Sequence, residues 1–249
     1  MSASPERGDN FDVFKLFDHN IACEIRLQQA LENDLLCPFH YFGITDIDID
    51  GEIGDISSFS QLTSDKRVEH ILERAEYYGY SGDRVKGLIF CSTKKEASEL
   101  SKKFNETGRY STIMLCGENS QEERESAVER LVTTNHPHKL DYIFTVDIFN
   151  EGVDIPEINQ VIMLRPTESP IIFVQQLGRG LRKADGKEFV IVIDFIGNYQ
   201  NNYMIPIALS GDRTGNKDNI RRSLMEGNNL IQGASTIYFD EVSRKRIYE

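Results

Sequence analysis

Cysteine is sparse in this chain of 249 residues: Cys23, Cys37, Cys91 and Cys116 are scattered, with no C-x-x-C pair among them. That scatter argues against a disulfide framework and against a zinc-finger type of site. Reduced thiols in a cytoplasmic protein are the expectation. Long hydrophobic runs are missing too. None approaches the roughly 20 residues that a membrane-spanning helix needs, so no membrane role is expected. The amino-terminal stretch "MSASPERGDN" has no apolar segment that would make it a secretory signal. There is no internal repeat and no low-complexity tract. Basic charge is also in deficit, with 28 Lys and Arg against 40 Asp and Glu, a net charge of −12. The deficit is uneven. Residues 1–60 hold 12 acidic against 3 basic side chains, and the remainder hold 28 against 25. The bulk of the chain is near neutral, so a local phosphate-binding surface remains open to it.

What is present points to an α/β domain. Apolar residues make up 39% of the chain, enough for a sizeable core. The spacing of Ile21, Ile25, Leu27 and Leu31 predicts an amphipathic helix over 20–34. "PFHYFGITDIDID" reads as a strand running into an acidic loop, and residues 46–58 read as a linker or exposed loop. A helix is expected over 64–79, with Ser64 as its cap and Val68, Ile71, Leu72 and Ala75 as its stripe. From residue 85, short apolar runs alternate with helical stretches. The runs are "GLIFC", "STIML", "DYIFTV", "QVIML" and "FVIVIDF", and few of them alternate polar with apolar. Strands buried on both faces have this character, as in a mostly parallel sheet flanked by helices in three layers. A last short strand, "ASTIYF", follows a polar segment with the basic patch Arg213, Lys217, Arg221 and Arg222.

Three stretches carry candidate chemistry. "STKK" places Ser92 and Thr93 between a strand and a helix. Hydroxyls and free N–H groups there suit a phosphate oxygen, although an ordinary helix cap would use the same residues. "DIFNEGVDIP" follows another strand. Gly152 allows a sharp turn, and Asp154 beyond it could take a ribose hydroxyl or an arginine, or only cap the local backbone. In "FVQQLGRGLRKADGKE", residues 173–188, Arg179 and Arg182 are spaced to share a helix face, and no carboxylate lies at i±4 from either. Glycine costs about 1 kcal/mol in a helix interior. The pair Gly178 and Gly180 therefore suggests a ligand or another backbone approaching closely.

In this order, the motifs resemble those of the second RecA-like motor domain of superfamily-two helicases. "GLIFCST" resembles motif IV. Gln121 and Arg124 resemble the Q-x-x-R element, and "TVDIFNEGVDIP", with Thr145 before it turns, resembles motif V. "QQLGRGLR" resembles motif VI, Q-x-x-G-R-x-x-R. The resemblance reaches the amino terminus, where Ser2-Ala3-Ser4 is similar to motif III of the first motor domain. It implies that residues 1–58 are the tail of that first domain and the connection, and that 59–249 are the second RecA-like domain.

The resemblance also implies roles. Arg182 would be the arginine finger on the γ-phosphate of ATP, with Arg179 beside it. Gly152, Asp154, Gln175 and Gly178 would line the nucleotide. Ser92, Thr93, Gln121, Arg124 and Thr145 would face nucleic acid. A glycine pair in motif VI, with Leu181 before Arg182, is nearer to restriction and repair translocases than to RNA-directed relatives, which leans the partner towards double-stranded DNA. The sequence has no G-x-x-x-x-G-K-[ST] phosphate loop and no acidic metal box. The expectation is therefore a piece of a motor, with ATP and Mg²⁺ held mainly by a first motor domain outside it and with no ATPase activity of its own. The alternative is a stand-alone RecA-like module that binds nucleic acid or protein without using ATP. A flavodoxin-like α/β enzyme shares the sheet and leaves the paired arginines without a purpose.

Overall fold

Parallel strands need helical crossovers, and the alternating pattern supplies both. The computed structural model describes residues 15, 18, 25, 27–46, 59–146, 155–165, 178, 180–196 and 235–241. In chain order the elements are α1 (Leu27–Glu32), β1 (Phe39–Thr45), α2 (Phe59–Leu62), α3 (Asp65–Tyr78), β2 (Gly87–Phe90), α4 (Lys94–Glu106), β3 (Thr112–Leu115), α5 (Gln121–Val132), β4 (Tyr142–Thr145), β5 (Gln160–Met163), β6 (Val190–Ile196) and β7 (Thr236–Phe239). The strands form one seven-stranded sheet in the order β3-β4-β2-β5-β6-β1-β7. Every recorded strand pair is parallel.

Side-chain alternation splits the sheet into two apolar faces. On one, Ile89, Phe144, Ile162 and Ile193 meet Val68, Ile71, Leu72 and Ala75 of α3 and Ala97, Leu100 and Phe104 of α4. On the other, Phe90, Ile143, Val161 and Val192 meet Ala127 and Leu131 of α5, with Leu27 and Leu31 of α1 at the margin. The α3 stripe expected from the sequence is buried, and Ser64 caps that helix through the Arg67 N–H. At the chain's start the expected helix is only partly met. The described helix begins at Leu27, and Ile25 is 56% exposed rather than on the inner face.

β1 precedes the boundary expected at residue 58, yet it is an interior strand of this sheet. It is paired along its length with β6 and flanked by β7. Phe39 and Tyr41 are buried in one face and Ile44 in the other. Residues 39–45 thus pack with the unit expected to begin at 59, because two-sided burial of an apolar strand needs neighbours on both edges.

Gly87 shows how tightly the strands are matched. It stands opposite Tyr142 in the register, and a Cβ there would lie 2.1 Å from a Tyr142 ring carbon. The ring cannot swing away cheaply. Tyr142 donates to Gln160 Oε1 at 2.6 Å, and Gln160 Nε2 in turn donates to the carbonyls of Ala75 and Gly79. Gly87→Ala is expected to destabilise the fold by about 1–3 kcal/mol, the cost of overpacking. A Cβ on Gly178 meets nothing within 4 Å. Gly178→Ala should therefore leave the urea midpoint unchanged or raised, and equal midpoints for the two variants would refute the packing account.

Candidate nucleotide and nucleic-acid site

The carboxyl ends of β3, β4 and β2 lie side by side, and Ser92, Thr93, Gln121, Arg124 and Thr145 are at the strand ends or in the segments that follow β2 and β3. Phe90 and Leu115 are both level with Thr145. Two further bonds extend the ladder at this edge, Cys91 N–H to Thr145 O at 3.0 Å and Leu164 N–H to Phe90 O at 2.9 Å. Ser92 and Thr93 follow directly and are exposed. Thr93 is the cap of α4, its hydroxyl accepting the Glu96 N–H at 3.2 Å. The ordinary capping account of Thr93 is thus met, and a phosphate role would have to use its N–H and the hydroxyl proton.

Thr145 is fully buried, and its hydroxyl has no hydrogen-bond partner among the described residues. Such an orphan costs about 1–3 kcal/mol. The side chain does not reach the surface in this conformation. Gln121 is exposed and donates to Glu125 at 2.7 Å. Arg124 is half-buried and turns inward, where Nη2 holds Gly117 O at 2.9 Å and Cys116 O at 3.4 Å. It fastens the loop after β3 rather than offering its charge outward. The resemblance brings these residues to one edge, and the structure gives two of them internal duties.

Behind Ser92 and Thr93 lies a buried ionic cluster. Arg67 is 1% exposed and Glu96 fully buried. Arg67 Nε donates to Asp46 Oδ2 at 2.9 Å, and Nη1 donates to Glu96 Oε1 at 3.1 Å and Leu62 O at 2.7 Å. The second Glu96 oxygen accepts the Ser92 N–H at 3.0 Å. Burial alone would weaken the guanidinium's hold on its proton. Asp46 and Glu96 outweigh that and keep Arg67 above its ordinary value. No local pattern in the sequence marks Arg67, because its partners are 21 and 29 positions away.

The segment of the paired arginines lies elsewhere. Gly178 and Gly180 are helical, and Arg182 falls on a bend after Leu181 rather than on the helix. Arg179, with which it was expected to share a helix face, lies outside the described residues. The carbonyls at this point are taken from outside. Lys187 Nζ donates to Gly180 O at 2.9 Å, and the Cys37 N–H donates to Leu181 O at 2.7 Å. Lys187 also binds Pro156 O, and Ile158 O at 3.1 Å, tying this end to the turn before β5. Gly180 is the close-approach glycine. A Cβ on it would lie 3.3 Å from Val190, 3.4 Å from Val161 and 3.5 Å from Ile158, so what approaches is the sheet.

Those contacts place Gly180 and Arg182 near the amino ends of β5 and β6. The carboxyl edge is roughly 15 Å away at the usual rise along a strand. Arg182 is exposed, and it is not without a partner here, contrary to the reading that it stands unpaired. Arg179, Gln175, Gly152 and Asp154 lie outside the described residues, as do the motif III stretch and the basic patch from Arg213 to Arg222. Among the described residues no group of three His, Cys, Asp or Glu side chains could hold a metal ion. No described helix is long and apolar enough to cross a membrane.

Comparison with known proteins gives the geometry a context. Residues 65–184 match the helicase conserved C-terminal domain. The chain is 25% identical over 207 residues to IRC3 of Saccharomyces cerevisiae, named an ATP-dependent helicase. That match covers 79% of the chain and 29% of the relative, so the chain spans less than a third of IRC3. Among solved structures, an HsdR-subunit fragment of a type I restriction enzyme from Vibrio vulnificus superposes with a TM-score of 0.62 at 20% identity, covering 96% of the chain and 44% of that structure. The yeast DEAD-box splicing factor Prp28 superposes with a TM-score of 0.54 at 15% identity, covering 85% of the chain and 37% of that structure. At these identities the structural likenesses establish the RecA-like fold and nothing finer.

Proposed function

We propose, on the premise that residues 65–184 are a helicase conserved C-terminal domain of superfamily two, that this chain is the second motor domain of an ATP-dependent helicase or translocase. ATP sits between it and a phosphate-loop domain, and the resemblance leans the nucleic acid towards double-stranded DNA. The observation that carries this reading is the placement of the motif residues at two ends of one sheet. The carboxyl ends of β2, β3 and β4 form a continuous edge. Arg182 stands exposed at the opposite end on a firmly held backbone.

In this reading Ser92 and Thr93 contact phosphates through N–H and hydroxyl groups, which gives affinity without sequence preference. Arg124 keeps the neighbouring loop in place. Arg182, with Arg179, neutralises charge on the phosphoryl group as it transfers, the task for which a planar guanidinium is suited. The sequence contains no phosphate loop, so this chain alone supplies half of the nucleotide site.

The test is to measure phosphate release and duplex DNA binding with this chain alone. No turnover above background is expected, with weak binding that falls steeply as salt is added, since the net charge of −12 opposes the interaction. Turnover that survives repurification and is lost in Arg182→Ala would show a complete nucleotide site and refute the composite one. Tight, salt-independent binding would refute the phosphate contacts.

A further inference from the structure

We propose that Lys187 is a positioning residue for Arg182, its ammonium pinning the segment that carries Arg182 to the stretch that resembles motif V. This rests on the reading of Arg182 just given, and deepens it.

Lys187 is half-buried, and its ammonium donates to three main-chain carbonyls: Gly180 at 2.9 Å, Ile158 at 3.1 Å, and Pro156. An ammonium has three N–H donors and no acceptor, so the carbonyls match its capacity. Capping does not require this. A lysine that only closes a helix end takes the carbonyls of that helix. Here two of the three belong to another segment, 29 and 31 positions away. Pro156 is the last residue of "TVDIFNEGVDIP", and Gly180 lies in "QQLGRGLR". One side chain thus joins the two stretches.

Both sides of this junction are themselves held. The Lys187 N–H donates to Ala184 O at 3.2 Å, and Gly186 between them has a φ of 75°, which glycine adopts without strain. The Gly186 carbonyl rests on Gly82, where a Cβ would lie 2.9 Å from it. Two residues beyond Lys187, the Phe189 carbonyl accepts the Ser81 hydroxyl at 2.6 Å. The chain around Lys187 is therefore fastened to the turn before β2. Asn159 fastens the other side to the same turn. Its Nδ2 donates to Ser81 O at 2.7 Å and Arg84 O at 2.8 Å, and its Oδ1 accepts the Lys86 N–H at 2.8 Å. The ammonium thus runs from one fixed turn to the next, and what it adds is the hold on Gly180, two positions before Arg182. Without Lys187 the backbone entering Arg182 keeps the Cys37 bond to Leu181 O and loses the bond to Gly180 O. A guanidinium that must meet a transferring phosphoryl group is sensitive to displacements of this kind.

The experiment measures kcat and KM for ATP in a polypeptide that pairs this domain with a phosphate-loop domain. Lys187→Met, Arg182→Ala and the double variant form a cycle. Methionine keeps the apolar stem and removes the donors. In Lys187→Met, kcat is expected to fall by about 10²-fold, the cost of misplacing a catalytic group by about 1 Å, with KM little changed. In the Arg182→Ala background the same substitution should cost less than about twofold, because a residue that acts through Arg182 then has nothing to position. A merely structural role predicts the same loss in both backgrounds. Lys187→Gln keeps two N–H donors. It should show a smaller loss, and it carries the cycle if Lys187→Met folds poorly. Wild-type turnover in both Lys187 variants, or equal losses in both backgrounds, overturns this inference and leaves the proposed function standing. Wild-type turnover in Arg182→Ala overturns both.

Discussion

Arg182→Ala, introduced into a polypeptide that pairs this domain with a phosphate-loop domain, is expected to lower steady-state ATP turnover by on the order of 10³-fold or more. The structure supplies a mechanical reason for choosing this residue. Leu181 is fully buried and its carbonyl is held by the Cys37 N–H, while the Gly180 carbonyl is held by Lys187. The backbone entering Arg182 is therefore fixed, and the exposed side chain projects from a rigid base. Such a base lets a guanidinium meet a phosphoryl group with little reorganisation. Arg182 is engaged within this chain, so nucleotide must take it over from its present interaction. Arg182→Lys preserves charge but loses the planar fork, and should not restore turnover. Nucleotide affinity should change far less than turnover, because the contact strengthens in the transition state. The decisive comparison is turnover against nucleotide affinity in both variants. Near-wild-type turnover in both would remove Arg182 from the chemistry, and normal turnover with lost movement on DNA would place it in coupling.

The second large effect concerns Asp194, which no motif singles out. It lies in β6, is 1% exposed, and accepts the Tyr41 hydroxyl at 2.7 Å. Burial pushes its carboxyl up from 3.8 to about 7, against a smaller lowering by the Tyr41 bond. The folded chain therefore holds a proton here that the unfolded chain releases at the ordinary carboxylate value. That contribution to stability is fully present below about pH 4 and is lost as pH rises through about 7. Asp194→Asn keeps an acceptor for Tyr41 and removes the charge. It should match the wild type in acid and exceed it above neutrality, by up to about 4 kcal/mol at 1.36 kcal/mol for each pH unit. Urea unfolding of both proteins across this range checks it. Parallel stability curves would mean that Asp194 is ionised in the fold without penalty.

The sequence made some of this visible and hid the rest for physical reasons. Ser64 and Thr93 could be placed because capping is decided within four residues. The strands could be placed because apolar runs without alternation have few other uses. Gly180 was legible as a point of close approach, but what approaches was not, since Val161 and Val190 are neighbours only through folding. Arg182 was placed on a helix because its spacing from Arg179 fits one. Spacing does not reveal that Arg182 falls on a bend, or that Lys187 and Cys37 take the carbonyls of Gly180 and Leu181 before it. Arg67, Glu96 and Asp46 are unremarkable singly, and Asp194 meets Tyr41 across 153 positions. Their meaning lies in the pairing, which exists only in the folded sheet.

The position of β1 also bears on how the chain comes to be folded. Its neighbours on both sides arrive late. Phe39 is in register with Val190, and His40 with Thr236. The buried Ser235 hydroxyl accepts the Phe39 N–H across 196 positions. A ribosome releasing this chain exposes Phe39, Tyr41 and Ile44 long before either partner strand has been made. The half made of β2 to β5 can close from nearby segments, while β1 must wait, a delay that long loop closure imposes on parallel pairing. During synthesis this strand is an unpaired apolar edge, the part of the molecule with most need of a chaperone. A stop before Ser235 would leave it uncovered on the β7 side, so early termination should give an aggregating product rather than a shorter domain.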